Sequence, residues 1–314
     1  MGDNNGSSNG GASPPPPSSS QPSPPAPFNP EQYKAMQRQS WDGVAQGWLA
    51  WWQTFEKGAQ KVSDRLVELA EVKPGHRVLD VATGIGEPAI TAAKRVRPSG
   101  RVTAIDISPQ MLEIARQRAM TNGLEQVVEF KEGDAEAVGL HDSRFDAVLS
   151  RWGLMFFPNL DATLDKMHRA LVPGGILSAA VWSAPPRVPL LDLAFSTARK
   201  QISAPPPPPG ALGPFRLADE AALRRSLARA GFGNVRTEKM TVTFSFSSAE
   251  DFMRFHRSIA APIHTMIAGQ TDERKEELWK SIADAARPYA GPGGRIDLDN
   301  EVICATGQRQ RRWS

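Results

Sequence analysis

The chain has 314 residues, 40% apolar and 23% charged, with a formal net charge of +3. That length suits one large domain or two modest ones. No run of about 18 apolar residues predicts a transmembrane helix, the lone Cys304 excludes an intramolecular disulfide and a cysteine-rich zinc site, and the mild, dispersed basic excess gives no footprint of nucleic-acid binding. Of the 27 prolines, nine fall in residues 1–30 and six between Pro205 and Pro214, so two stretches read as poorly packed. Residues 1–29 are rich in Gly, Ser, Asn and Pro and bury too little apolar surface to offset ordering entropy, which predicts a disordered tail. They lack an apolar signal core and any Arg or Lys, so no signal or transit peptide is expected and the cytoplasm is the expected compartment.

Residues 31–71 read as helical. Trp41, Trp48 and Trp52, spaced i, i+7, i+11, share one face, with Trp51 and Phe55 nearby, and a second amphipathic piece follows with Val62, Leu66, Val67 and Leu69. This segment, 30–72, is expected to dock on the core and act as a lid. From Arg77 strands and helices alternate: strands at 77–82, 101–107, 127–132, 145–150 and 176–182, and helices at 88–96, 108–122 and 160–171, with Ser108 as N-cap and Pro109 at the first helical position. Such alternation predicts a parallel, doubly wound sheet. Residues 184–214 (APPRVP, then APPPPPGALGP) read as an irregular Pro-rich loop. A helix at 219–230, a strand at 234–246, helices at 249–259 and 272–286 and a final strand at 295–306 follow, with about 45 residues of helical cap between the last two strands. The chain thus reads as a tail and a single domain, 30–314, whose ligand-binding core is 73–183 and whose end, 215–314, combines sheet strands with the cap.

Gly84-Ile85-Gly86 lies between the first strand and its helix, where glycine lets backbone approach a ligand and the helix start offers free N–H groups. Asp106, twenty residues after Gly86, ends the second strand and can take both ribose hydroxyls of an adenosine ligand. Gly84-x-Gly86-x-x-Ala89 also fits the dinucleotide fingerprint, so an NAD(P)-dependent oxidoreductase stays an alternative. Three features weigh against it. Asp80 is poorly placed beside a pyrophosphate but suits a cationic ligand, Asp134 could accept from an adenine amino group, and no Tyr-x-x-x-Lys pair follows.

VLDVATGIGEPAI, VTAIDISPQMLEIAR, EGDAEA, FDAVLSRWGLMFF and LVPGG, in this order and spacing, resemble the class I S-adenosylmethionine-dependent methyltransferases over residues 75–183, and most of all the ubiquinone/menaquinone-biosynthesis type. The resemblance implies a Rossmann-like α/β fold with a seven-stranded sheet and an antiparallel last strand. It implies S-adenosylmethionine as cofactor, its methionine end at Asp80, Ala82, Gly84, Ile85 and Gly86. Its ribose would lie on Asp106, its adenine against Ile107, Met111, Asp134 and Ala135, and Arg151 would lie near the methionine or the acceptor. Ala82 departs from the family's first glycine, and Pro88 reads as helix initiation.

Ser150-Arg151-Trp152-Gly153 at the fourth strand's exit lacks the Asn-Pro-Pro-Tyr of DNA amino-methylating enzymes and the paired glutamates of arginine methyltransferases. Cys304 lies in a predicted strand rather than at a nucleophile position. No acidic cluster suggests a metal. The expected reaction is a metal-free methyl transfer to a small organic acceptor, quinone-like, phenolic or amine, with the methylated atom open. Trp41, Trp48, Trp152 and Phe156, with Phe157 and Trp182, are candidates to line the acceptor pocket. His256 and His264 in the cap, with Arg151, are candidate catalytic groups. A non-catalytic adaptor that uses its proline segments as ligands is a third reading.

Overall fold

In the computed structural model residues 1–2, 28–139, 142–208 and 210–311 are described. Nearly all of the expected disordered tail lies outside them. The sheet has seven strands in the order β3-β2-β1-β4-β5-β7-β6: β1 Arg77–Val81, β2 Arg101–Asp106, β3 Val128–Glu132, β4 Phe145–Arg151, β5 Leu171–Trp182, β6 Gly233–Phe246 and β7 Ile296–Gln308. The first five are parallel, and β7 runs antiparallel between β5 and β6. β1 and β4 are buried along nearly their whole length, as expected of strands covered on both faces. The chain leaves β1 for β2 and β3 on one side and continues through β4 and β5 on the other. The order therefore reverses between β1 and β4, and a crevice opens there outside the strand ends.

Helix α1 (Pro30–Leu69) is one continuous 40-residue helix rather than two pieces, and so about 60 Å long. Asn29 caps it, its side chain accepting from the Glu31 and Gln32 N–H groups, with Pro30 in the first turn. Its C-terminal half lies on the sheet, with Val62 and Leu66 fully buried. Gly58 allows the close approach to β6, since a Cβ there would stand 2.5 Å from the Thr243 carbonyl oxygen. Its N-terminal half crosses the crevice. There Val44 and Ala45 form a second apolar cluster with Ile85, Met111, Ile114 and Ala261, separate from the main core.

Helices α2 (Ala89–Val96), α3 (Pro109–Thr121) and α4 (Leu160–Ala170) match the expected crossovers within two residues. Two expectations need correction. β5 begins at Leu171, five residues early, and runs through Pro173-Gly174-Gly175; its register with β4 is broken between Phe145 and Ala147, a bulge that admits the proline. The segment 184–214 is not one loop. Helix α5 (Pro189–Gln201) occupies its centre, starting on a proline and burying Leu190, Ala194, Phe195 and Ala198 at helical spacing. After α6 (Glu220–Arg229), the connection from β6 to β7 carries α7 (Ala249–Ile259), α8 (Ala261–Ile267) and α9 (Asp272–Ala286), the expected cap with one further short helix. No helix among the described residues is long and apolar enough to cross a membrane.

Candidate active site

The loop between β1 and α2 is fixed by two buried carboxylates. Asp106, at the end of β2, accepts the Gly84 N–H at 2.7 Å on one oxygen and the Ser108 N–H at 2.9 Å on the other. It thus ties this loop to the start of α3. Burial pushes its carboxyl above the usual range, and the backbone N–H groups of Ser108 and Gly84 pull the other way. Asp80 is wholly buried beneath the loop. One oxygen accepts the Ala89 N–H at 3.0 Å, and Oδ1 has no partner. Burial raises its carboxyl to about 7, against the pull of Thr83, the Ala89 N–H and Arg151. Gly84 and Gly86 hold left-handed φ values of 55° and 106°, and a Cβ at Gly84 would meet nothing, so that backbone is open to a ligand. Ala82 and Trp152 take φ 59°, a costly conformation for non-glycine residues that gathers at binding sites. It also accounts for the family's glycine where Ala82 stands.

Arg151, at the end of β4, faces Glu56 of α1 in a bidentate pair of 2.5 and 2.9 Å and also donates to Ser63 at 2.9 Å. Both side chains are under a tenth exposed. Close by, Arg118 of α3 donates to the Ile85 carbonyl at 2.5 Å, approaches Glu87 at 3.7 Å and lies over the Trp52 ring at 4.6 Å. Burial raises the Glu87 carboxyl, and Arg151 works against that rise. Further along α1, Lys34 pairs with Asp134 and Glu136, both at 2.8 Å, and Asp42 accepts from the Ser108 hydroxyl at 2.6 Å.

These elements enclose a cavity of about 260 Å³. Of the predicted cofactor residues, Ala82, Gly84, Ile85, Asp106, Ile107, Met111, Asp134, Ala135 and Arg151 line it, while Asp80 and Gly86 are not part of its lining. Trp41, Trp48, Trp152 and Phe156 line its other half, as do Phe157 and Trp182. Trp152 and Trp182 stack at 4.3 Å, and the Trp41 edge meets Phe156 at 5.5 Å. The cavity includes His256 but not His264, which is exposed on α8 with Nε2 2.6 Å from the Arg257 carbonyl oxygen. The sequence reading missed Tyr33, Lys34 and Glu56 on α1 and Leu190 and Phe195 on α5, all in the wall. Burial raises the Cys304 thiol of β7 to about 12, so it holds its proton. Among the described residues no cluster of His, Cys, Asp and Glu could hold a metal ion.

Residues 72–198 match the family described as Methyltransferase domain. The chain is 32% identical over 153 residues to a demethylmenaquinone methyltransferase of Symbiobacterium thermophilum, covering 48% of this chain and 60% of that protein. It is 38% identical over 119 residues to a ubiquinone/menaquinone biosynthesis C-methyltransferase of Pseudomonas putida, covering 38% and 46%. The chain thus spans about half the length of the curated relatives it matches. A crystal structure of a methyltransferase candidate from Bacillus halodurans superimposes with a TM-score of 0.52 at 25% identity, covering 79% of this chain and 99% of that one. Residues 72–198 thus match a methyltransferase domain in sequence, and the chain has a Rossmann-like α/β fold similar to that of the methyltransferase candidate just described. Over part of its length the chain is similar in sequence to the quinone-biosynthesis methyltransferases just described.

Removing one member of a buried ion pair leaves an uncompensated charge. Arg151→Met or Glu56→Leu alone is expected to lower unfolding free energy by roughly 3–5 kcal/mol, while the double variant loses less than either. Urea titration measures all three, and additive losses would show that the two groups do not depend on each other.

Proposed function

We propose that this protein transfers the methyl group of S-adenosylmethionine to a small organic acceptor. The observation that carries the reading is the position of Asp106: it lies in the wall of the cavity, gripping the Gly84 loop, and the aromatic half of the same cavity opens beside it. Each Asp106 oxygen keeps a lone pair for a ribose hydroxyl after accepting its backbone N–H. Ile107 and Met111 supply apolar surface for an adenine, and Asp134 and Ala135 an edge for it. The methionine end belongs to Ala82, Gly84, Ile85 and Gly86, above Asp80, whose unpartnered oxygen favours a cationic ligand. Arg151 backs this site through its pairing with Glu56 rather than offering a free guanidinium. The bound sulfonium supplies an activated methyl group. The protein's share is to orient the acceptor and exclude water, the work of Trp41, Trp48, Trp152 and Phe156. On this reading the protein acts in the cytoplasm, and the unpaired thiol of Cys304 suits a reducing compartment.

Calorimetric titration tests the reading. S-adenosylhomocysteine is expected to bind and NADH not to. Asp106→Ala should abolish the binding, and undiminished affinity in that variant, or binding of NADH alone, would overturn the assignment. The pH dependence is a second test. A ligand ammonium near the loop favours ionised Asp80, which in the free protein titrates near 7, so binding releases a proton and tightens as pH rises. Affinity for S-adenosylhomocysteine is expected to increase about tenfold from pH 6 to pH 8. Asp80→Asn should remove that increase; a pH profile unchanged in Asp80→Asn would rule the role out.

A further inference from the structure

Arg118, on α3, is a largely buried cation outside the cavity lining. Its side chain is 11% exposed, and neither it nor Trp52, the ring it lies over, lines the cavity. Ile85 and Glu87, which it approaches, do line it. A charge held in such a place needs partners. Exchanging a buried ion pair for apolar side chains is often neutral for stability. The distinctive contribution of this arginine is therefore the geometry that its flat, five-donor head imposes.

Three contacts fix that head. Nη1 donates to the Ile85 carbonyl at 2.5 Å. Nη2 stands 3.7 Å from Glu87 Oε1. The guanidinium carbon lies 4.6 Å from the centre of the Trp52 ring, on α1. The Ile85–Gly86 peptide is thereby held at both ends, since the Gly86 N–H goes to the Thr83 carbonyl at 2.9 Å. The loop also packs closely on α3: a Cβ at Gly86 would come within 3.3 Å of Ala115 Cβ, one turn before Arg118. Through Glu87 a second route leads back to α1. Glu87 Oε2 accepts from the Thr91 hydroxyl at 2.6 Å, and Thr91 Oγ1 accepts from Gln60 Nε2 at 2.9 Å. Trp52 and Gln60 belong to the same helix. Arg118 is thus the junction at which the glycine loop and the roof helix meet on one side chain.

We propose that Arg118 is a positioning residue for the cofactor: it locks the Ile85–Gly86 peptide to Trp52 of α1, so that the loop that receives the methionine end and the helix that roofs the cavity take up their binding geometry together. This rests on the methyl-transfer reading and adds to it a residue that touches neither cofactor nor acceptor. Removing the guanidinium lowers cofactor affinity although no ligand contact is lost, and the loss depends on Trp52.

The test is calorimetric titration of the full chain with S-adenosylhomocysteine, in the parent, Arg118→Met, Arg118→Lys, Trp52→Leu and the double variant Arg118→Met with Trp52→Leu. A urea titration of each confirms that it is folded. Arg118→Met is expected to weaken binding about tenfold, the worth of one charge-assisted hydrogen bond. Arg118→Lys can still donate to Ile85 but cannot hold all three partners at once, so it should recover part of that loss. Trp52→Leu should weaken binding about threefold in the parent and add nothing in the Arg118→Met background. A role in folding alone would shift the urea midpoints and leave the affinity of every folded variant at the parent value. Parent affinity in Arg118→Met, no recovery in Arg118→Lys, or losses that multiply in the double variant would each overturn the proposal. If Arg118→Met does not fold, Trp52→Leu carries the test, and parent affinity there overturns it. Failure of S-adenosylhomocysteine to bind the parent protein would instead overturn the methyl-transfer reading, and this inference with it.

Discussion

The buried pair between Arg151 and Glu56 joins two parts of the chain 95 residues apart, the exit of β4 and the middle of α1. Neither charge could lie in that interior alone, because an unpaired ion there loses its hydration without return. The pair sits beside the point where the strand order reverses, so it sets where the long helix crosses the sheet. The remaining polar contacts of α1 repeat the same device further along. Asp42 meets the start of α3 just past β2, Arg38 pairs with Glu132 at the end of β3, and Lys34 pairs with Asp134 and Glu136 beyond it. A single helix is thereby fastened to the exits of three parallel strands, and the space it roofs is the cavity.

That space divides by chemistry. On the side of β1 and β2 the wall is backbone, with carboxylates above or behind it, suited to a polar and partly cationic ligand. On the side of β4 and β5 it is made of stacked indoles and phenyl rings, suited to a flat apolar one. The buried acids near the loop, Asp80, Glu87 and Asp106, all have their carboxyls raised by burial. Beside the aromatic half burial keeps the His256 imidazole neutral, and the Arg151 guanidinium is paired with Glu56.

Much of this was legible in the sequence because it is local. Strand periodicity, the glycine turn, Ser108 as a cap and Asp106 at a strand end are each set within a few residues, and the cofactor half of the cavity follows from them. What escaped was either masked or non-local. Helix α5 follows Pro185 and Pro186, starts on Pro189 and is followed by the run beginning at Pro205, and those prolines hid thirteen residues of ordinary amphipathic helix. Glu56 and Lys34 found partners about a hundred residues away, which no spacing rule reaches. His256 and His264 looked equivalent, eight residues apart in the cap. The helix breaks at Ala260, so the two lie on different helices, and only His256 reaches the cavity wall.

The N-terminal half of α1 and the Gly84 loop line one shared cavity, so a ligand bound there should steady both. Amide hydrogen exchange with and without S-adenosylhomocysteine addresses it directly. Slower exchange on binding is predicted for residues 33–48 of α1 and 83–87 of the loop, with the far side of the sheet, around α6, unchanged. Exchange in α1 that does not respond to the ligand, while the loop does, would contradict the account of that helix as part of the binding site.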